Sequence, residues 1–375
     1  MKKIVFTGRL ISKGARDGIS RFTISVLREL PAFLDGYELI IAFDREPSIH
    51  MEGFTPLELK RYTGHLPGIF LWLNHDVKKA IIRTKAELLI SMDGFGIISP
   101  PCPQVPVIHD INFARNIKWI RWDHRLTYSW YFQKVLKESS TVICVSPFVA
   151  TDILNFYGSS KKIFVLMEGI EKVRLMASSH LYEKPVFPFL IFPGDVHPRK
   201  NLINIVKALK IVKRSYGTAP GIIVTGRLFH VSGEEKKIIK EAISEGMVIQ
   251  KGKLPEEDFF QLLMSSCGLL YLSNYEGFGL PPLEALSLRK PVILSSQDPL
   301  TMWRTLLPES HRNLLFYAEP WNVNSIAESI MKVMEIANNT DLQNITDLVD
   351  VFPEVSWRNV AFRLANVIRS IINQV

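Results

Sequence analysis

"LLYLSNYEGFGLPPLEALSL", residues 269–288, moves from an apolar run through a glycine-rich turn into an amphipathic stretch opened by prolines. Leu269 to Ser273 has the unbroken hydrophobicity of a strand buried on both faces. Pro281 and Pro282 can open a helix, because proline at the first helical position lacks only an amide hydrogen that would be unpaired anyway. Two glutamates, Glu276 and Glu284, flank the turn. Strand, turn and helix in that order form one unit of a parallel sheet covered by helices.

The same unit recurs outward in both directions. From residue 186 on, strands are expected at Phe189–Phe192, Gly221–Thr225, Met247–Gln250 and Pro291–Leu294, with helices at Leu202–Tyr216, Glu234–Glu245, Glu256–Ser266 and Pro282–Leu288. In the first half "KIVFTG", "YELIIAF", "ELLISM", "VPVIHD" and "TVICVS" read as strands. Helices there are expected over Ser20–Leu30, Asp76–Lys85, Trp122–Leu136 and Pro147–Phe156. The pattern predicts an α/β chain of two Rossmann-like, doubly wound domains, with ligands beyond the carboxyl ends of the strands and hence in a cleft between the domains. "HLYEKPVFPF" (180–189), with two prolines before a new strand, reads as the linker, giving domains 1–180 and 181–355.

Composition agrees. A chain of 375 residues, 47% hydrophobic and 22% charged, can bury large cores and favours two domains over one. Its apolar runs, such as Leu66 to Leu73, fall far short of the ~18–20 residues that cross a bilayer. The apolar stretch in "MKKIVFTGRL" is too short for a signal peptide, and Cys102, Cys144 and Cys267 lack Cys-x-x-Cys spacing. No disulfide framework or zinc site is expected, and a cytoplasmic location fits best. Net charge is +8, with 24 Lys and Arg against 17 Asp and Glu up to residue 180 and 21 against 20 beyond it. That basic first half suits an anionic partner, or is simply a solvated face. "NIKWIRWDHRLTYSWYFQKVLK" (116–137) interleaves cations with aromatics and could rest against anionic headgroups; packed aromatics with solvated charges are the alternative.

The chemistry concentrates at residues 276–284. The backbone from Gly277 to Leu280 and the positive end of the following helix make a cradle for anions or sugar hydroxyls. An ionised carboxylate accepts through two oxygens, so Glu276 and Glu284 suit the diols of ribose and hexose. "EGFGLPPLEAL" resembles the Glu-x7-Glu signature of the family 4, or group 1, retaining glycosyltransferases, whose architecture is termed GT-B. The resemblance implies that Glu284 binds the donor ribose and Glu276 lies beside the transferred sugar. The backbone of Gly277, Phe278, Gly279 and Leu280 would contact sugar and diphosphate. "IFPGDVHPRKNLINIVKAL" (191–209) resembles the family's Pro-Arg-Lys-Asn element, which makes Lys200 the cation for the departing diphosphate, as fixed positive charge is needed where negative charge develops. Many members carry an arginine where Asp195 stands, so Arg199 is the candidate second cation.

Weaker matches occur in the family's order. "KGKLPEEDFFQLL" (251–263) resembles the segment framing the nucleobase and points to Lys253 and Leu254; Arg227 follows a strand end nearby. "RDGISRFTISVLREL" (16–30) resembles a Gly-Gly-Ile-x-Arg-Tyr helix opening, with Asp17 in the first glycine's place and Gly18 left to approach phosphate or acceptor. "VPVIHDINFAR" (105–115) resembles the His-Asp segment, where His109 would contact the donor and Asp110 shape the site. In "KIFVLMEGI" (162–170) Glu168 replaces the usual asparagine, Gly169 is expected in a turn, and Ser146 is expected to cap a helix. The segment 356–375 resembles the helix that crosses back onto the first domain. The resemblance implies metal-independent retaining transfer of a hexose, mannose favoured, from a nucleotide diphosphate sugar such as GDP-mannose or a UDP-sugar. The acceptor would be a glycan or lipid-linked oligosaccharide in bacterial surface polysaccharide synthesis, at the inner face of the membrane. No protein-bound cofactor, metal or nucleic acid is implied. A nucleotide-sugar epimerase of the same architecture and a non-catalytic basic binding protein are the alternatives.

Overall fold

The computed structural model describes residues 1–12, 14, 17–61, 63–115, 122–158, 161–171, 185–228, 232–337 and 347–373, with side chains from Arg125 onward in the helix that begins at Trp122. Arg16, residues 116–121 of the aromatic-basic stretch and residues 180–184 of the expected linker lie outside that set. The chain forms two compact units, Met1–Gly169 with Glu354–Val375, and Ile170–Pro353. The division falls between Gly169 and Ile170 rather than at 180 and 181, and the last helix belongs to the first unit.

The first unit is built on β1 (Lys2–Thr7), β2 (Tyr37–Phe43), β3 (Thr55–Glu58), β4 (Leu88–Ser91), β5 (Gln104–Ile108), β6 (Thr141–Cys144) and β7 (Lys162–Val165). They form one parallel sheet in the order β3-β2-β1-β4-β5-β6-β7. Strands β4, β5 and β6 are buried along their whole length, which is why they read as continuous apolar runs. The helix Gly18–Glu29 starts from an Asp17 cap, and Pro147–Tyr157 starts from the Ser146 hydroxyl, which accepts from the Val149 amide. Gly169 is not in a turn. A side chain there would meet Trp357 at 2.7 Å, so the glycine serves close packing against the C-terminal helix Trp357–Ile372. That helix lies on Gly18–Glu29, where Phe22 meets Trp357 edge-on at 5.9 Å.

One first-half helix differs from expectation. In place of a single helix over 76–85, the chain is helical over Leu66–Leu71, continues through a π-helical segment Trp72–Val77, and ends with Lys78–Thr84. It begins ten residues earlier because His65 Nδ1 caps the Gly68 amide at 2.9 Å and Pro67 fits the first turn.

The second unit carries β8 (Phe189–Phe192), β9 (Gly221–Val224), β10 (Val248–Gln250), β11 (Gly268–Tyr271), β12 (Val292–Ser295) and β13 (Leu315–Ala318), all parallel, in the order β10-β9-β8-β11-β12-β13. Helices Leu202–Tyr216 and Val323–Ile336 bury aliphatic faces against its core, and Gly233–Ser244 starts from a capping box of Ser232 and Glu235. Each sheet reverses direction of strand addition once, at β1/β4 and at β8/β11, which makes those two junctions the topological switch points. Among the described residues no helix is long and apolar enough to cross a membrane.

Candidate functional site

In the second unit the loops that leave β8 and β11 meet above their switch point. After β8, Gly194 turns with φ +75°, and a β-carbon there would sit 2.8 Å from Lys200 Nζ. Gly226, just past β9, abuts the Gly194 carbonyl so closely that a β-carbon would lie at 2.2 Å. These two glycines let the loops touch and leave room for the lysine. Lys200 ends the short 3-10 turn Pro198–Lys200 and donates to the Pro193 carbonyl at 2.8 Å. Arg199 is joined to the β11 loop at three points. Its carbonyl accepts from the Asn274 amide at 2.7 Å, its Nη1 donates to the Tyr275 carbonyl at 2.9 Å, and the guanidinium pairs with Glu276 Oε1. The two expected cations and the first glutamate therefore form one cluster.

Charge is shared tightly within it. Burial works to raise Glu276, but Arg199, Lys200 and Ser273 together hold it below the usual carboxylate range, so it is ionised near neutrality. Burial pushes Lys200 down to about 8; Arg199 adds to that, while Glu276 and Asp195 oppose it. The lysine is thus a cation that titrates close to physiological pH. Asn274, which no motif singled out, brings a buried Oδ1 with no partner among the described residues. Its only sequence signal is its place two residues before Glu276.

The glycine turn sends side chains and backbone to opposite sides. Phe278 is buried edge-on against Trp303, with ring centroids 5.1 Å apart, and Leu280 is buried as well, so these residues can offer a ligand only their backbone. Gly279 adopts φ +98° to start the helix Leu280–Ser287. Glu284, in the second turn of that helix, is only 2% exposed. A ribose-binding role would have it act from a buried position.

Arg227 is not free at the site's edge. Its amide and Nη2 both bond to Asp195, each at 2.8 Å, and the aspartate is held low mainly by this partner against the opposing effect of burial. The acidic residue that stands in place of an arginine thereby anchors a guanidinium from the next loop. Lys253 is exposed and Leu254 half-buried in the loop between β10 and the helix Glu256–Ser265.

In the first unit Gly18 is exposed as the first residue of its helix. Asp17, the departure from a double glycine, is used as a cap, accepting from the Ser20 amide at 2.8 Å. His109 is engaged at both ring nitrogens. Nε2 lies 3.0 Å from the Met92 carbonyl and Nδ1 3.1 Å from Glu168 Oε1, and the residue is buried. A carbonyl can only accept, so Nε2 carries a proton, and Glu168 facing Nδ1 favours the imidazolium. Burial resists the charge, yet Glu168 outweighs it with help from Met92 and Asp110, and the histidine pKa is raised. A donor contact by His109 would have to replace one of these two bonds. Asp110 caps the adjacent turn, accepting from the Asn112 amide at 3.1 Å.

The family model for glycosyl transferases group 1 matches residues 178–345, and that for glycosyltransferase family 4 matches residues 16–174. The O-antigen chain mannosyltransferase B of Escherichia coli is 25% identical over 178 residues, 48% of this chain and 45% of that protein. The O-antigen chain mannosyltransferase RfbU of Salmonella typhimurium is 29% identical over 173 residues, 44% of this chain and 46% of that one. The matched region thus spans about half the length of these relatives. Among solved structures, a sucrose-phosphate synthase of Thermosynechococcus elongatus superposes with a TM-score of 0.73 at 15% identity, covering 100% of both chains, a likeness of fold.

Proposed function

This chain belongs to the group 1, family 4 glycosyltransferases, and we propose that it transfers a hexose, mannose by preference, from a nucleotide diphosphate sugar to a glycan or lipid-linked acceptor in building a bacterial surface polysaccharide. The observation that carries this is the Arg199–Lys200–Glu276 cluster at the β8/β11 switch point. The preference for mannose rests on the O-antigen mannosyltransferases to which the chain is similar.

Lys200 and Arg199 stabilise the departing diphosphate, and Glu276 accepts hydrogen bonds from the sugar. Backbone from Gly277 to Leu280 borders the diphosphate, Glu284 serves the ribose, and Lys253 and Leu254 flank the base. The bond from the anomeric carbon to the phosphate oxygen breaks through an oxocarbenium-like state, and the acceptor oxygen bonds to the same face. Its proton passes to a phosphate oxygen, leaving a glycoside of retained configuration and a nucleoside diphosphate. Side-chain cations supply the positive charge that a metal would otherwise provide. A panel of nucleotide sugars tested by thermal shift and by donor hydrolysis checks the reading. At least one GDP- or UDP-sugar should raise the melting temperature and be slowly hydrolysed, because a ligand bound to the native state stabilises by mass action. No shift with any member would refute it.

A further inference from the structure

The first unit has a switch point of its own, between β1 and β4, and its two loops are joined in the same way as those above β8 and β11. Arg9, two residues past β1, bonds through Nε and Nη2 to Asp93 Oδ2 at 3.0 and 2.7 Å, and Asp93 lies two residues past β4. In each unit an arginine from the first loop thus pairs with a carboxylate from the fourth, beyond the carboxyl ends of adjacent parallel strands. Ligands bind in this position in open α/β sheets.

The first-unit pair leaves hydrogen-bonding capacity unused. The arginine Nε and Nη2 converge on one oxygen, while among the described residues Asp93 Oδ1 has only the Phe95 amide at 3.4 Å, beyond good hydrogen-bond range. Tyr128 stands beside them. Burial raises its phenol, with Arg9 opposing and Asp93 reinforcing, which places the hydroxyl within the field of the pair. That hydroxyl has no hydrogen-bond partner among the described residues, and Tyr128 is partly exposed. Phe113 stacks on the tyrosine ring at 5.8 Å, Phe95 lies against it at 5.6 Å, and the Arg9 guanidinium sits 5.8 Å from the Phe95 ring. His109 steadies the β4 loop by holding the Met92 carbonyl next to Asp93.

We propose that Arg9, Asp93 and Tyr128 form the acceptor subsite and recognise the hydroxyls of a neutral pyranose. The inference rests on the glycosyl-transfer reading above. A guanidinium donates, a carboxylate accepts, and a phenol does both, which matches adjacent sugar hydroxyls. The Arg9–Asp93 pair is neutral overall, so it offers no net positive charge to select a phosphorylated group and suits an uncharged sugar.

Ligand-observed NMR on the full chain, saturated first with GDP and then with UDP, tests this with methyl α-D-mannopyranoside, methyl α-D-glucopyranoside and methyl β-D-galactopyranoside as probes. At least one should bind the wild type. Tyr128→Phe and Asp93→Asn should each weaken it tenfold or more, with nucleotide affinity unchanged within twofold and melting temperature preserved. Undiminished binding in both variants overturns the proposal. So does a loss that tracks falling melting temperature and nucleotide affinity, which would mark a purely structural pair, and so does the failure of every pyranoside to bind a protein that does bind nucleotide. If wild type binds neither GDP nor UDP, the glycosyl-transfer reading fails first and takes this proposal with it.

Discussion

Lys200 sits where its own titration can be used as a probe. Burial brings it to about 8 from an ordinary 10.5. Between those values the unfolded chain binds the extra proton and the folded one does not, so stability rises with pH across that window. Urea unfolding at pH 7.5, 9 and 10 should show the rise in the wild type and its absence in Lys200→Met. If the cation stabilises the leaving group, kcat/KM should fall as pH rises through about 8, and Lys200→Met should lose ~10²–10³ in kcat, the cost of removing one preorganised electrostatic group. A variant with unchanged turnover would exclude the role. His109 shifts the other way. Its raised pKa stabilises the fold below the ordinary value of about 6.5 and ceases to do so as pH climbs through the folded value. In Glu168→Gln the histidine loses its charged partner, and its imidazole proton titration followed by NMR should move to lower pH. A curve that does not move would mean that Glu168 does not hold the charge.

At the scale of elements, the C-terminal helix shows how far along the chain a core residue can be recruited. Trp357–Ile372 buries Val360, Ala361, Leu364, Ala365, Ile368 and Ile371 in the first unit, and Arg363 and Arg369 donate to the carbonyls of Val165 and Phe33. Leu364→Ala should cost ~2–5 kcal/mol by chemical denaturation, the range for an aliphatic truncation in a packed core; a neutral result would mean that the helix is not integral to the unit. The strand Phe189–Phe192 and the helix Leu202–Tyr216 were legible to the residue, because a fully buried strand is continuously apolar and the helix ends at Gly217 in the left-handed conformation. The edge strand β3, "TPLE", was not, since it is short, largely exposed and contains proline. The helix Val323–Ile336 did carry a signal, the Asn322 cap ahead of an amphipathic run. In the candidate site, Lys200, Arg199 and Glu276 were singled out because each lies in a short continuous motif that resembles the family's. The Arg9–Asp93 pair was not, because it joins residues 84 positions apart, and only the strand order brings them together.

Over the whole molecule the two units divide their charge unevenly, and the basic excess lies in the half that carries the exposed apolar side chains of the helix Trp122–Glu138. Leu126 is 62% exposed and Trp130 54%; four positions apart, they share one face of the helix. Lys134, a further turn along, and Lys137 are exposed as well. An exposed tryptophan and leucine followed by lysines suit the boundary between headgroups and acyl chains of an anionic bilayer, where aromatic rings insert shallowly and cations meet phosphate. Such a contact would hold the first unit at a membrane surface. The full chain should therefore co-sediment with vesicles containing phosphatidylglycerol and much less with phosphatidylcholine alone. Binding should weaken as salt rises from 50 to 500 mM, because screening acts on the electrostatic part of the attraction. Trp130→Asp should reduce binding at every salt concentration while leaving nucleotide affinity intact. Sedimentation that ignores both salt and the substitution would remove this helix from any membrane role and leave its lysines as solvated charges.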